Sequence, residues 1–235
     1  MSFRCLFHLH TRHSFDSLLS PARILAEARA MSVDVLIPTD HNTLAGARDL
    51  QRISEGDPKF VVQAAEYQTE KGDIIGLFLK NEIRTRLSRE VIEEIRAQNG
   101  VVVLPHPYKA HRLDEELLSQ VDLIETHNSR CSESENISAG DLAQKLRLPY
   151  IGGADAHCAG ELEAVLNDFT DHLPNNESEL KSSLLQAQCT IKTRSVSGIF
   201  RPYSQVIKAF KTRDPMLFLS QAKRLGVTFL RESLR

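Results

Sequence analysis

Residues 4–11 read RCLFHLHT, a short apolar run that ends in two histidines separated by one residue. The run at 4–8 has the length and composition of a buried β-strand, and Ser20-Pro21 shortly afterwards is typical of the first turn of a helix. Similar runs alternate with helical patterns further along the chain, at 34–38, 60–65, 73–79, 101–105, 121–126 and 150–153. This alternation predicts an α/β fold of βα units with a mostly parallel sheet.

The connection at 68–72 breaks the alternation, because it is too short to contain a crossover helix. We therefore expect a hairpin or another tight link between the third and fourth strands, which distorts a barrel built from the other units. After Pro174 the pattern becomes mainly helical.

The composition fits a single large domain that works in a reducing compartment. A chain of 235 residues with 41% hydrophobic residues can build one core. The N-terminal residues lack the apolar stretch of a signal peptide, and the four cysteines form no CxxC pair. We therefore expect a cytoplasmic protein with free thiols and no transmembrane segment.

The charge is unevenly distributed along the chain. Residues 192–235 contain ten Lys and Arg but only two acidic residues, a charge of +8, which leaves −10 for residues 1–191 in a chain whose net charge is −2. The basic segment either docks on the acidic part of the protein or attracts an anionic ligand, and docking is the simpler interpretation.

Side chains that commonly bind metal ions follow five of the seven predicted strands. They are His8 and His10, Asp40 and His41, Glu66, His106, and Asp155 and His157. The carboxyl ends of the strands of a parallel barrel open onto one face, so these residues are expected to converge. On extended backbone, the two side chains of each His-x-His or Asp-x-His pair point to the same side. Any one of these residues alone is usually a surface or turn residue, whereas the whole set indicates a site for Zn²⁺, Mn²⁺ or Fe²⁺.

The order and spacing of five motifs resemble those of the PHP (polymerase and histidinol phosphatase) superfamily. The motifs are HLHT at 8–11, TDHN at 39–42, Glu66 after an apolar run, PHP at 105–107 and GADAH at 153–157. The resemblance covers residues 3–165. It implies a distorted seven-stranded (β/α) TIM-like barrel, followed by a mainly helical C-terminal extension. We expect residues 1–235 to form one domain, with a motif-bearing core at 3–165 and a helical, basic part at 175–235.

The resemblance also implies a trinuclear metal site, with two or three divalent ions bound. The implied ligands are His8, His10, Glu66 and Asp155 for one ion, Glu66 as a bridge with His106 for a second, and Asp16, His41 and His157 for a third. Family members often supply another histidine to the second site, where this sequence has Asp73 instead. Asp73, His127 or water are the alternatives for that position.

The segment ETHNSR at 125–130 resembles a family motif whose arginine contacts the substrate phosphate. The guanidinium of Arg130 suits this role, because its planar fork matches two phosphate oxygens, although a salt-bridging arginine is the alternative. Asn128 and His127 belong to the same segment, and His13 lies close to the first motif. We predict that these four residues bind substrate.

The predicted site would attract anions, because the three carboxylates Asp16, Glu66 and Asp155 carry −3 against +4 or +6 from two or three ions. A water that bridges two ions about 3.5–4 Å apart has a lowered pKa and supplies hydroxide as the nucleophile. We therefore expect a metal-dependent phosphoesterase in which His8, His10, Glu66 and Asp155 carry out in-line hydrolysis.

The expected partner is a small phosphorylated substrate, including a nucleotide or a short oligonucleotide. The modest net charge and the absence of an aromatic and basic stripe argue against long nucleic acid as an obligate substrate. We expect no membrane partner and no obligate protein partner. One alternative is a non-catalytic, metal-stabilised PHP module that acts through a protein or nucleic-acid partner. Metal-dependent amide hydrolysis ranks third, since no lysine stands where a carbamate bridge would need it.

Overall fold

The computed structural model describes residues 2–186 and 188–233. Within these residues, ten strands form two five-stranded sheets that are accompanied by eight α-helices, which confirms the α/β class. The elements are β1 (Phe3–Phe7), α1 (Pro21–Ala30), β2 (Val35–Ile37), α2 (Ala45–Ser54), β3 (Phe60–Val61), β4 (Ala64–Thr69), β5 (Gly72–Leu77), α3 (Ser88–Ala97), β6 (Val101–Leu104), α4 (Glu115–Leu118), β7 (Leu123–Asn128), α5 (Glu133–Leu146), β8 (Tyr150–Gly153), β9 (Val165–Phe169), α6 (Glu177–Gln186), β10 (Cys189–Thr193), α7 (Phe200–Thr212) and α8 (Pro215–Ser233).

The first sheet has the strand order β10-β9-β1-β2-β3, and the second has the order β4-β5-β6-β7-β8. The strands β1, β2 and β3 are parallel, as are β6, β7 and β8. The strands β4 and β5 form an antiparallel hairpin in which Thr69 pairs with Gly72, so the tight link expected at 68–72 is confirmed. Gly72 has a φ of +115°, a conformation that a residue with a Cβ rarely adopts.

The strands of the described residues pair in two separate sheets and do not form one closed ring of seven, so the expected distorted seven-stranded barrel is not confirmed. β1 and β2 pair with each other, and the opposite edge of β1 pairs with β9 while the opposite edge of β2 pairs with β3. Neither strand therefore has a fully available edge for the second sheet. Backbone hydrogen bonds also join the two sheets just beyond these ladders. Ala154 N donates to Phe7 O at 2.9 Å on one side, and Glu66 N donates to Asp40 O at 3.2 Å on the other.

Apolar side chains from both sheets meet in a core between them. Its largest fully buried members include Phe3, Phe7, Ile37, Ile75 and Phe169. The helices α1 and α2 cover the outer face of the first sheet, and α3 and α5 cover that of the second. Full burial of each large side chain stabilises the fold by about 1.5–3 kcal/mol, so this core fixes the ends of the strands on which the site is built.

The C-terminal part contributes β10 to the first sheet and then forms α7 and α8. Helix α7 buries Pro202, Ser204, Ile207 and Ala209, whereas α8 packs along α7 and has no buried residue. Among the helices in the described part of the chain, none combines the length and apolar character needed to cross a membrane.

Candidate metal centre

The structure brings all eight predicted ligands together at the end of the molecule where the two sheets meet. In the described part of the chain, their ligand atoms form three groups, and within each group all atoms lie within 4.8 Å of one another. The groups are His10, Asp16, His41 and His157; His8, Glu66 and His106; and His8, His10 and Asp155. The imidazoles and carboxylates of positions 8 to 157 thus share one buried cluster.

Glu66 lies at the middle of this cluster. Its Oε1 is 3.5 Å from Nε2 of His8 and 3.1 Å from Nε2 of His106, and its Oε2 is 3.5 Å from Nε2 of His10 and 3.1 Å from Nδ1 of His41. The sequence predicted that Glu66 follows the end of a strand, but Glu66 lies inside β4. The chain bends between β3 and β4 because β3 pairs with the first sheet and β4 with the second.

The backbone reaches this arrangement through left-handed residues and not through extended backbone. The φ angles are +62° at His8, +27° at His106 and +46° at Asp155. The prediction that the His8–His10 and Asp155–His157 pairs lie on extended backbone is therefore wrong, although their side chains do converge. Each such conformation at a residue with a Cβ costs about 1–3 kcal/mol, and it persists because the surrounding hydrogen bonds impose it.

The cluster fits a bound cation, since several of its buried polar atoms have no hydrogen-bond partner among the described residues. They are His8 Nε2, His10 Nε2, His41 Nδ1, His106 Nδ1 and Asp16 Oδ1. Leaving such an atom unsatisfied costs about 1–3 kcal/mol. Imidazole nitrogens and carboxylate oxygens are the donors that Zn²⁺, Mn²⁺ and Fe²⁺ accept, so this donor set matches the predicted metals.

Three members of the cluster have protonation states that suit a cation. Burial opposes ionisation of Glu66, but His8, His41 and His106 outweigh it and hold the pKa of Glu66 well below its usual value. Burial likewise opposes ionisation of Asp155, but Lys109 and His8 keep its pKa well below the usual range. Burial, His157 and His41 lower the pKa of His10 to about 3. Ionised carboxylates and a neutral imidazole are the forms that bind a metal. At His8 and His41, burial lowers the pKa, but neighbouring carboxylates outweigh it and raise the pKa of both, that of His41 to about 9.

Glu125 supports two of the histidines, a role that the sequence analysis did not assign to it. Its Oε1 accepts a hydrogen bond from His8 Nδ1 at 2.7 Å, and its Oε2 accepts from His106 N at 2.7 Å and Asn128 Nδ2 at 3.0 Å. A Cβ at Gly153 would lie 1.6 Å from Glu125 Oε1, so only glycine leaves room for this carboxylate. The only signal in the sequence is that Glu125 opens the ETHNSR segment.

Asp40 supports the other side of the cluster instead of joining the ligands. It accepts hydrogen bonds from Thr11 N at 2.6 Å, Thr11 Oγ1 at 2.7 Å and Ser14 Oγ at 2.8 Å. Ser14 Oγ in turn lies 3.2 Å from His10 Nδ1. A Cβ at Gly46 would lie 1.8 Å from Asp40 Oδ2, so α2 approaches this network as closely as its backbone permits.

Asp73, one of the alternatives for the second site, lies beside His106. Its Oδ2 lies 4.0 Å from His106 Nε2, at the limit of an ion pair. Burial and the charge of Glu66 raise the pKa of Asp73 to about 6. His127 belongs to none of the three ligand groups in the described residues.

The four predicted substrate-binding residues occupy different surroundings. The Arg130 guanidinium is buried, donates to both carboxylate oxygens of Glu161, and donates to Ser204 Oγ at 2.9 Å. Asn128 and His127 line a cavity of about 820 Å³ between β7, α5 and residues 193–196. His13 pairs at 3.0 Å with Asp49 of α2 on the protein surface. Substrate contact by these residues stays a prediction.

Lys109 is a cation beside the cluster, and in the sequence it resembles other loop cations, which makes it a weaker candidate for phosphate binding there. Its Nζ lies 3.4 Å from Asp155 Oδ2, and its side chain is 41% exposed. Lys109 therefore faces solvent and the ligand cluster at once. An ammonium in this position can bind an anion that enters the site.

Two proteins of Methanocaldococcus jannaschii, both named only as uncharacterized, are similar to this chain in sequence. One is 37% identical over 112 residues, covering 43% of this chain and 66% of that protein. The other is 35% identical over 124 residues, covering 48% of this chain and 52% of that protein. The chain thus spans less than two thirds of the length of each relative. No known family model matches the chain.

Several solved structures share the fold at low sequence identity. A two-domain protein of Bacteroides vulgatus that contains a predicted PHP-like metal-dependent phosphoesterase has a TM-score of 0.69 and 15% identity, covering 86% of this chain and 69% of that chain. A lesion-specific endonuclease of Pyrococcus furiosus has a TM-score of 0.61 and 16% identity, covering 81% and 58%. An amidohydrolase of Chromobacterium violaceum with bound sulfate has a TM-score of 0.58 and 14% identity, covering 80% and 97%.

The chain has the fold of the PHP-like metal-dependent phosphoesterases. The resemblance that its five motifs indicated is confirmed at the level of the fold.

Proposed function

We propose that this protein is a metal-dependent hydrolase that cleaves a phosphomonoester, a nucleotide or a short oligonucleotide. The observation that carries this proposal is the convergence of eight histidines and carboxylates, seven of them buried, into three groups of ligand atoms. A fold shared with PHP-like phosphoesterases supports the same class of reaction.

The ions would be two or three divalent cations of zinc, manganese or iron. We assign them to the three groups of the cluster, with Glu66 between the groups and with His8, His10, Glu66 and Asp155 as the catalytic set. When bound, such ions neutralise phosphoryl oxygens and lower the pKa of the water that attacks phosphorus.

The chain's own residues would orient the substrate and hold the ligands in place. Lys109 would bind a phosphoryl oxygen beside Asp155. After its bonds to Glu161 and Ser204, Arg130 keeps one Nη1–H without a partner in the described part of the chain, and that donor suits the same phosphate. We retain Asn128 and His127 as candidates for contact with the group attached to the phosphate, because both line the cavity of about 820 Å³ beside β7. We retain His13, which pairs with Asp49 on the surface, as a weaker candidate for substrate binding.

We further propose that β1, β2 and β4–β8 act as a distorted seven-stranded barrel. The hydrogen bonds between Phe7 and Ala154 and between Asp40 and Glu66 support this view, because they join the sheets next to the ligands. We also propose that residues 1–235 work as one domain in the cytoplasm, without a membrane or an obligate protein partner.

The test is hydrolysis of an aryl phosphate and a panel of nucleotides by metal-free protein to which Mn²⁺ is added back. We expect turnover by the wild type and by His172→Ala, which changes an exposed loop histidine. A double variant with His8→Ala and Asp155→Ala should lose it. Equal turnover by the wild type and the double variant across the panel would contradict the proposal. Metal binding without hydrolysis, together with a stable partner, would favour the non-catalytic module.

A further inference from the structure

Lys211 of α7 is bound to the loop that carries Asp16. Its Nζ donates hydrogen bonds to the carbonyl oxygens of Arg12 at 2.8 Å, Ser14 at 2.7 Å and Ser17 at 2.7 Å. An ammonium has three donors, so this arrangement uses all of them. The three carbonyl dipoles point at one position and would repel one another without a cation there.

Two further residues of α7 contact the surroundings of the metal ligands. The Lys208 ammonium lies 4.8 Å from the centroid of the Phe15 ring, and that ring stacks on His41 at 4.4 Å with an interplanar angle of 4°. Ser204 Oγ accepts from the Arg130 guanidinium, which is paired with Glu161. Positions 204, 208 and 211 follow the spacing i, i+4 and i+7, so they lie on one face of the helix.

These contacts reach the group formed by His10, Asp16, His41 and His157. Asp16 Oδ2 lies 3.4 Å from His41 Nε2 and 3.1 Å from His157 Nε2. Glu161 Oε2 accepts from the backbone N of His157 at 2.9 Å. Helix α7 is therefore linked to three of the four ligands of this group, Asp16, His41 and His157. Each link passes through one or more intermediate residues.

We propose that α7 is a clamp for the metal site that contains Asp16, and that Lys211 is its main positioning residue. Lys211 does not touch the ligand atoms themselves. It fixes the loop at 12–17 so that the Asp16 carboxylate faces His41 and His157. Binding of one of the ions would then depend on the C-terminal part of the chain, which none of the five motifs includes.

The proposal rests on the proposed metal centre, so the test includes a readout that needs no metal. Hydrogen exchange of the backbone amides at 12–18 would be measured in metal-free wild type, Lys211→Met and Lys211→Gln. Met keeps the apolar stem but removes all three hydrogen bonds, whereas a glutamine amide can donate two. We expect faster exchange at 12–18 in Lys211→Met, an intermediate rate in Lys211→Gln, and unchanged exchange in β6 and β7.

The second readout is the number and affinity of bound Mn²⁺ ions, measured by elemental analysis after dialysis and by titration. We expect Lys211→Met to bind one ion about 10–100-fold more weakly than the wild type, as is usual when a partner that orients a ligand is lost. Asp16→Asn should weaken the same ion, and the double variant should be no worse than Asp16→Asn alone, because both changes act on one site. Lys223→Met on exposed α8 is the matched control and should behave as the wild type.

Unchanged amide exchange at 12–18 in Lys211→Met, or additive losses of Mn²⁺ affinity in the double variant, would overturn the proposal that α7 holds this site through Lys211. If Lys211→Met does not fold, Lys211→Gln carries the same comparison. A wild type that binds no metal would instead contradict the proposed function, while the exchange result would still decide whether Lys211 holds the loop.

Discussion

Replacing Glu125 by glutamine tests how the protein fixes its histidines. The carboxylate accepts three hydrogen bonds, from His8 Nδ1, His106 N and Asn128 Nδ2. A glutamine amide has one oxygen and one NH₂ group, so it cannot accept on both sides. If its NH₂ faces His8, Nδ1 must become an acceptor, and Nε2 then carries the proton that blocks a cation. If its oxygen faces His8, the NH₂ group meets two donors.

Both orientations are therefore expected to weaken metal binding, even though the residue is not a ligand. Loss of a partner that orients a metal-binding histidine usually costs 10–100-fold in metal affinity, which corresponds to about 1.4–2.7 kcal/mol. The assay is titration of metal-free protein with Mn²⁺ in the presence of a competing chelator. The matched control is Glu115→Gln, because that carboxylate is exposed on α4. An affinity of folded Glu125→Gln within about twofold of the control would show that Glu125 does not fix the metal-binding histidines.

Three further predictions concern other parts of the chain. Gly153→Ala should destabilise the protein by roughly 3 kcal/mol or more in denaturant unfolding, because the added Cβ would displace the buried carboxylate of Glu125. The control is Gly140→Ala, which lies in open space on α5 and should stabilise the protein by about 0.5–1 kcal/mol. Hydrogen bonds from Arg4 hold the pKa of Asp168 below its usual value. The ion pair therefore stabilises the folded protein above about pH 4, and this stabilisation disappears as the pH falls through the lowered pKa. Asp168→Asn should therefore cost about 0.5–1 kcal/mol at pH 7 and nothing near pH 2, and an equal loss at both would contradict this. Lys109→Met should raise KM for a phosphoester about tenfold with unchanged metal content, and an unchanged KM would exclude it from substrate binding.

The sequence predicted those features of the site that local patterns encode. His8, His41, His106 and Asp155 each follow an apolar run, so both the strand and its reactive end could be recognised from a few adjacent residues. The hairpin at 68–72 was predictable for the same reason, since chain length alone excludes a crossover helix there.

Features that depend on contacts distant in sequence were not predictable. The left-handed backbone at His8 arises where the chain after β8 bonds to the end of β1, and no local pattern encodes that pairing. The split into two sheets depends on β9, which pairs with the edge of β1 that a regular, fully closed barrel would need. Lys211 reaches a carbonyl group 197 residues away, and one lysine in a basic helix resembles the others until the fold is known.

We propose above that side chains from positions 8 to 157 share bound cations. The decisive measurement is anomalous X-ray diffraction from crystals grown with Mn²⁺, because the signal locates each ion independently of the protein atoms. We expect two or three peaks within the cluster, bonded to the imidazoles of His8, His10 and His41 and to the carboxylates of Glu66 and Asp155. Peaks at other places only, or none at saturating Mn²⁺, would contradict the proposal.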